Sequence, residues 1–141
     1  GEKVGVIFQT AHFVESLTVE ENLILPFFLT GKKIDRNKAK QLLQRLNLAD
    51  KAGKMPYQLS VGEQQRVAIA RAVIHNPEVI LADEPTGNLD PETSEEIMQL
   101  LIAVAKEENT AILMATHDMQ MVQKFPGRII KVEDGGIKEL T

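Results

Sequence analysis

Apolar residues along the chain follow two alternating rhythms, short continuous runs and longer stretches spaced at i, i+3, i+4 and i+7. That alternation predicts strands interleaved with helices. Residues 4–8 (VGVIF) read as a buried strand. Thr18 with Glu21 three residues later is a capping box that opens a helix at Val19, and Pro26 should end or kink it. Asp35 is a good N-cap for the next helix, where Ala39, Leu42, Leu43 and Leu46 fall on one inward face. A loop containing Gly53 and Pro56 leads to Ser60, whose pairing with Glu63 is a second capping box, and the helix it opens should run until Asn76 and Pro77 stop it. Residues 79–82 form a short apolar strand leading into Asp83 and Glu84, followed by a turn-rich loop. Asp90, with Pro91 at the first helical position, begins another helix whose buried stripe is Ile97, Leu100, Leu101 and Val104. Residues 111–115 (AILMA) and 128–132 (RIIKV) are further strands, and Asp134 with Gly135 is a hairpin signal that places residues 137–140 on a short antiparallel return. The order is strand, helical block, strand, helix, strand, short helix, hairpin, which implies an α/β fold with a largely parallel sheet.

Composition narrows the function classes. The chain has 141 residues, 43% of them apolar, and 16 basic against 20 acidic side chains give a formal net charge of −4. A globular chain of this length removes roughly 68% of its unfolded surface from water, so a folded core is expected rather than disorder. The longest apolar run, residues 23–29 (LILPFFL), is far shorter than the ~18 to 20 residues of a membrane-spanning helix, and no basic-then-apolar leader opens the sequence. A soluble, cytoplasmic protein is expected. Without cysteine there is neither a disulfide framework nor a thiolate metal site, and the acidic balance offers no bulk attraction for nucleic acid.

Each polar landmark has a plain reading when taken alone. Gln9 after a strand is more often an ordinary loop residue than a ligand, and Ser60 with Glu63 can be nothing more than a helix cap. A lone histidine such as His117 is more often packed or hydrogen-bonded than catalytic. Asp83 and Glu84 stand out, because ligands of parallel α/β sheets collect at the carboxyl edge of the strands. His117 follows a strand predicted to end on that same edge.

Together these segments resemble a known family. LSVGEQQRVAIARA at residues 59–72 is similar to the signature motif of ABC-type ATPases, and VILADEPTGNLD at 79–90 to their Walker B segment and D-loop. Phe8 and Gln9 resemble the Q-loop, and ATHD at 115–118 resembles the switch-histidine segment. The segments stand in the family's order and cover nearly the whole chain. The flanking wording is closest to the ATPases of lipoprotein-release, macrolide-efflux and cell-division complexes.

The resemblance implies MgATP hydrolysis. A carboxylate at a strand end can hold a Mg²⁺ that keeps most of its waters, and Asp83 suits that role. Glu84 is implied as the catalytic base, Gln9 as the sensor of the metal and the attacking water, and His117 as the contact to the γ-phosphate. Ser60, Gly62 and the amides that follow, Glu63 first, would bind the γ-phosphate of an ATP held by the opposite subunit, since a helix N-terminus offers unpaired N–H groups and a positive dipole end. Asp90 resembles the D-loop aspartate that reaches across such an interface. A homodimer or paired ABC subunit is thereby implied, as is an integral membrane permease-type subunit docked on the helical block. The chain would then sit peripherally at the inner face of the cell membrane.

The sequence departs from the family pattern in two places. Val61 stands where the pattern usually has a first glycine, while Gly62 remains, so tolerance is expected. No GxxxxGK[ST] segment occurs anywhere, so the phosphate-cradling loop, its lysine and its Mg²⁺-binding hydroxyl are missing. An incomplete P-loop NTPase fold, truncated at its N-terminus, is therefore expected, with no tight ATP binding and no activity of this piece alone. Residues 1–16 would hold a core strand and the Q-loop, 17–75 the helical signature subdomain, and 76–141 the rest of the catalytic core. The three parallel strands can still pair contiguously, whereas the final hairpin would lack its partner, leaving a marginal or aggregation-prone chain. Phe27 and Phe28 are adjacent and cannot share one helix face, so at least one is available to a partner. Two other classes share part of this resemblance. A soluble ABC ATPase of DNA repair or chromosome maintenance is disfavoured by the short, cysteine-free stretch between Gln9 and Ser60. A non-catalytic ABC-like interaction module would be favoured by a native gene starting near Gly1, and a longer reading frame with an upstream phosphate loop would dispose of it.

Overall fold

Side chains that bond back to their own backbone set the helix starts in this computed structural model, which describes residues 4–125, 127–133 and 135–140. Helix α1 (Val19–Thr30) opens with the expected reciprocal pair: the Thr18 hydroxyl accepts from the Glu21 N–H at 3.1 Å, and the Glu21 carboxylate accepts from the Thr18 N–H at 2.9 Å. Asp35 caps α2 (Arg36–Arg45) by accepting from the Lys38 N–H at 3.0 Å. Ser60 and Glu63 repeat the reciprocal pair at the start of α3 (Val61–Val73), and Asp90 caps α4 (Pro91–Glu107) with Pro91 in its first turn. Short 3-10 turns at Ala49–Lys51 and Pro56–Gln58 fill the loop before α3.

Pro26 does not end α1. The helix runs on to Thr30, because Leu23, Ile24 and Phe27 are buried on both sides of the proline and the last turn is closed from below. There the Thr30 hydroxyl donates to the Pro26 carbonyl at 2.8 Å, and Gly31 adopts the left-handed conformation (φ 70°) that turns its N–H back to Phe27. Tertiary packing outweighs the lost hydrogen bond. Phe28 and Leu29, by contrast, are 61% and 76% exposed, so the adjacent phenylalanines divide between core and surface as expected.

The caps carry a pH signature. The Glu21 carboxyl is held below its ordinary value chiefly by the Thr18 backbone hydrogen bond, and that of Asp90 chiefly by the Thr93 side chain. A carboxylate with a lowered folded pKa contributes stability that is complete above its unfolded value and is lost as pH falls through the folded one. Both groups are expected to titrate, by carbon-detected NMR, below the usual values of about 4.3 for Glu and 3.9 for Asp. Midpoints at or above those values would contradict this account of the caps.

Strands β1 (Val4–Ile7), β2 (Val79–Asp83) and β3 (Ala111–Ala115) form one parallel sheet in that order, with Val4 opposite Val79 and Val79 opposite Ala111. Gly5, Ile7, Ile80 and Ala82 face the core, joined by Ile97, Leu101 and Val104 of α4 and by most of α3. On the opposite face Val6, Leu81 and Leu113 lie in register across the three strands and are partly or largely exposed. After the short helix α5 (Met119–Lys124), β4 (Ile129–Glu133) and β5 (Gly136–Leu140) make a separate antiparallel pair, as the strand arithmetic anticipates. Gly135 in its turn has φ 90°, while Asp134 lies outside the described residues.

Helix α3 is the element on which the rest is assembled. Its Ala72 carbonyl lies so close to β1 that a Cβ on Gly5 would stand 2.3 Å from the oxygen. Farther along, the Arg71 guanidinium donates to the His12 carbonyl and lies 4.7 Å over the Phe13 ring, with burial lowering its pKa. The segment that follows β1 is thus pinned to α3.

Candidate functional site

Parallel pairing brings the three strand ends to one edge. Ile7 is opposite Ala82 and Asp83 is opposite Ala115, so the residues that follow each strand emerge side by side: Gln9 after β1, Asp83 and Glu84 at the end of β2, and His117 after β3. The alternation of β2 buries Ala82 and turns Asp83 outward.

Glu84 leaves the strand in a left-handed conformation, φ 47°, which is uncommon for a side chain of this kind and costs on the order of 1–3 kcal/mol. Neighbouring groups hold it there. Its N–H donates to the Ala115 carbonyl at 2.8 Å, and its own carbonyl accepts from the Gly87 N–H at 3.0 Å. Its carboxylate accepts from the Thr116 hydroxyl at 3.2 Å and from the His117 N–H at 2.8 Å, and lies 2.5 Å from the His117 Nδ1. With the tautomer that carries a proton on Nδ1, the imidazole donates as well. The Glu84 side chain is 22% exposed and that of His117 92%, so the pair sits at the surface with its imidazole in water.

Gln9 belongs to the same edge but does not touch that carboxylate. Its side-chain amide donates to the Asn88 Oδ1 at 3.0 Å, and the Asn88 amide returns bonds to the Gln9 carbonyl at 3.3 Å and the Thr10 hydroxyl at 3.1 Å. The Gln9 side chain lies flat on the loop because residue 87 is glycine: a Cβ there would stand 2.7 Å from the Gln9 amide carbon.

The α3 start forms a second group. The Ser60 hydroxyl and the Glu63 carboxylate are engaged with each other's backbone, Val61 points outward at 51% exposure, and a Cβ on Gly62 would stand 3.1 Å from the Thr93 methyl. Asp90 accepts from the Thr93 N–H at 3.3 Å, so the starts of α3 and α4 meet at Thr93. No hydrogen bond among the described residues joins Ser60 or Glu63 to Gln9, Asp83, Glu84 or His117. Ser60, Gly62 and Asp90 therefore make one cluster, and Asp83, Glu84, His117 and Gln9 another. A separate cleft of about 490 Å³, lined by Asp35, Lys38, Arg45 and Glu107, lies between α2 and the far end of α4, near the opposite edge of the sheet.

Among the described residues no group of three His, Asp or Glu side chains is placed to hold a metal by itself. Asp83 is a single exposed carboxylate at a strand end, a donor of the kind a hydrated divalent cation accepts. No described helix is long and apolar enough to cross a membrane.

Sequence reasoning did not find Asn88, Thr116 or Gln65. Gln65, 2% exposed on α3, donates from Nε2 to the Phe8 carbonyl at 3.0 Å and also to the Pro85 carbonyl. One signal was available: Gln65 interrupts the apolar face that Ala68, Ile69 and Ala72 otherwise make continuous.

The sequence profile of the ABC transporter family matches residues 1–87. The chain is similar to the lipoprotein-releasing system ATP-binding protein LolD of Rickettsia bellii, 45% identical over 136 residues that cover 95% of this chain and 61% of the relative. It is 42% identical to the cell division ATP-binding protein FtsE of Bacillus subtilis, over 94% of this chain and 59% of that protein. Among solved structures, a dimeric ATP-binding cassette in a post-hydrolysis state with ADP and Pi aligns with a TM-score of 0.78 at 39% identity, covering 99% of this chain and 63% of the other. A component of an ABC transporter complex from Clostridium perfringens aligns at 0.83 with 28% identity, covering 99% and 56%. The chain spans about three-fifths of the length of the curated relatives it matches.

Proposed function

Because the chain belongs to the ABC transporter family, we propose that it forms the signature and Walker B portion of an ATP-binding and ATP-hydrolysing subunit serving a transport or membrane-remodelling complex. The observation that carries this reading is the Glu84 carboxylate, held at the carboxyl edge of a parallel sheet by Thr116 and His117 and set there by a strained backbone. The full-length protein would supply the phosphate-binding loop that this sequence lacks.

In that protein Glu84 takes the proton of the attacking water. Its two oxygens are already oriented by donors, so little reorganisation is needed. Asp83 would hold the Mg²⁺, which supplies charge stabilisation to the phosphate oxygens when bound. His117 stands beside Glu84 with its outer ring nitrogen free to meet a terminal phosphate, and Gln9, tethered to Asn88, reports on the same edge. Ser60, Gly62 and Glu63 at the α3 start, with Asp90 next to them, would complete the site of a second subunit, which explains why this cluster stands apart from the first. Residues 1–16 and 76–141 would act as the catalytic core and 17–75 as a helical subdomain, whose exposed Phe28 and Leu29 suit an apolar contact with a membrane subunit. The working location is then the inner face of the membrane.

Calorimetric titration of MgATP tests the division of labour. The chain as given should bind without micromolar affinity, while the full-length protein should bind and hydrolyse the nucleotide. Micromolar binding by the 141-residue chain would refute the need for an additional phosphate loop.

A further inference from the structure

We propose that Gln65 is a positioning residue: a single buried amide that fixes the separation of Gln9 and Glu84 and ties both to the start of α3. The proposal rests on the hydrolytic reading above for its functional consequence, though not for its geometry. Gln65 Nε2 donates to the carbonyl of Phe8, the residue before Gln9, and to the carbonyl of Pro85, the residue after Glu84. The bond to Pro85, 20 positions away in sequence, is buried, and that to Phe8, 57 positions away, is half-buried. The amide can be placed only one way round, because both neighbours are carbonyl oxygens and only the nitrogen can donate to them. Its Oε1 is buried without a partner, so the side chain is held by its two donated bonds alone.

Phe8 and Pro85 follow adjacent strands, and beyond the ladder the Gln65 amide bridges their carbonyls from α3 while Asn88 joins the same loops at the surface. Gln65 lies five residues into α3, about 7.5 Å of rise from the Ser60 cap. A shift of α3 along its axis, such as closure of a phosphate onto its N-terminus would bring, must therefore move both carbonyls with it. The signature helix and the two edge residues are linked through one group.

Two substitutions separate this role from simple packing. Gln65→Glu keeps the size and shape but aims a carboxylate at two carbonyl oxygens; Gln65→Met keeps the volume and removes the donors. In the full-length protein the expected result is a fall in kcat of about tenfold or more for Gln65→Met, with KM changed less than about twofold, because misplacement by a fraction of an ångström acts on chemistry rather than on binding. Gln65→Glu should fall further at pH 8 and recover towards pH 6, as the introduced carboxyl gains a proton and one donor returns. Wild-type kcat in both variants, or a Gln65→Glu that is milder than Gln65→Met at pH 8, would overturn the proposal. An NMR measurement on the chain itself guards against variants that do not fold. The two Gln65 side-chain amide protons should exchange slowly and show cross-peaks to the residues 9 and 86 amides, and rapid exchange would overturn the proposal independently. If the wild-type full-length protein shows no turnover, the hydrolytic reading fails, whereas slow exchange and displaced Gln9 and Asn88 signals in Gln65→Met still uphold the link.

Discussion

Glu84→Gln in the full-length protein is expected to lower MgATP turnover by about 10²- to 10⁴-fold while leaving the nucleotide bound. The substitution is nearly isosteric. The glutamine oxygen can still accept from the His117 N–H where Oε1 stood, the new NH2 group can donate to the Thr116 hydroxyl where Oε2 stood, and the left-handed backbone at residue 84 is no more strained by glutamine than by glutamate. What disappears is the capacity to take a proton. Binding and hydrolysis should therefore separate: equilibrium binding of MgATP stays within a few-fold of wild type and phosphate release is lost. Turnover retained near the wild-type level would remove Glu84 from the role of base, and loss of binding together with turnover would point to a structural role instead.

Gly5→Ala is the structural counterpart and is expected to destabilise the chain by about 3 kcal/mol or more, a drop in Tm on the order of 10 °C. The new methyl would stand 2.3 Å from the Ala72 carbonyl oxygen, and both sides of that contact are backbone. Neither can retreat cheaply. Gly5 is paired in register with Ile80 in the sheet, and Ala72 is 3% exposed near the end of α3, where Val73 and Ile74 are also buried. Gly53→Ala supplies the control, since a Cβ there meets nothing within 4 Å. Thermal or denaturant unfolding of both variants decides the matter. A Gly5→Ala melt matching that of Gly53→Ala would mean that β1 and α3 are not packed as described.

Local chemistry was legible in the sequence wherever a residue and its partner lie within one turn. The Thr18–Glu21 and Ser60–Glu63 boxes, the Asp35 cap and the Asp90–Pro91 start were all set by such pairs and appear in the structure as expected. Pro26 does not end α1, because its cost is local and its compensation is not: the Leu23, Ile24 and Phe27 packing that carries α1 past it comes from elements far away in sequence. The site shows the same division. Motif order put Gln9, Asp83, Glu84 and His117 on one edge, and parallel register delivers them there. The partner of Gln9 is nevertheless Asn88, 79 positions away, and that of Glu84 is His117 with Thr116, 33 and 32 positions away. Such pairings depend on strand register and loop shape, to which spacing along the chain is blind. Gln65 was hidden for a different reason, since a glutamine beside another glutamine on a helix ordinarily reads as solvent-facing.

The reciprocal bond at the start of α3 has a directional consequence. The Ser60 oxygen spends a lone pair on the Glu63 N–H, while its hydroxyl hydrogen can still rotate towards another acceptor. The Ser60 oxygen is thereby held in place at the helix start, and Val61, whose side chain projects into solvent, keeps its amide hydrogen at the same end. An approaching anion would find backbone donors there whose aim was fixed when the helix formed, so part of the entropy of assembling its cradle is already spent in folding.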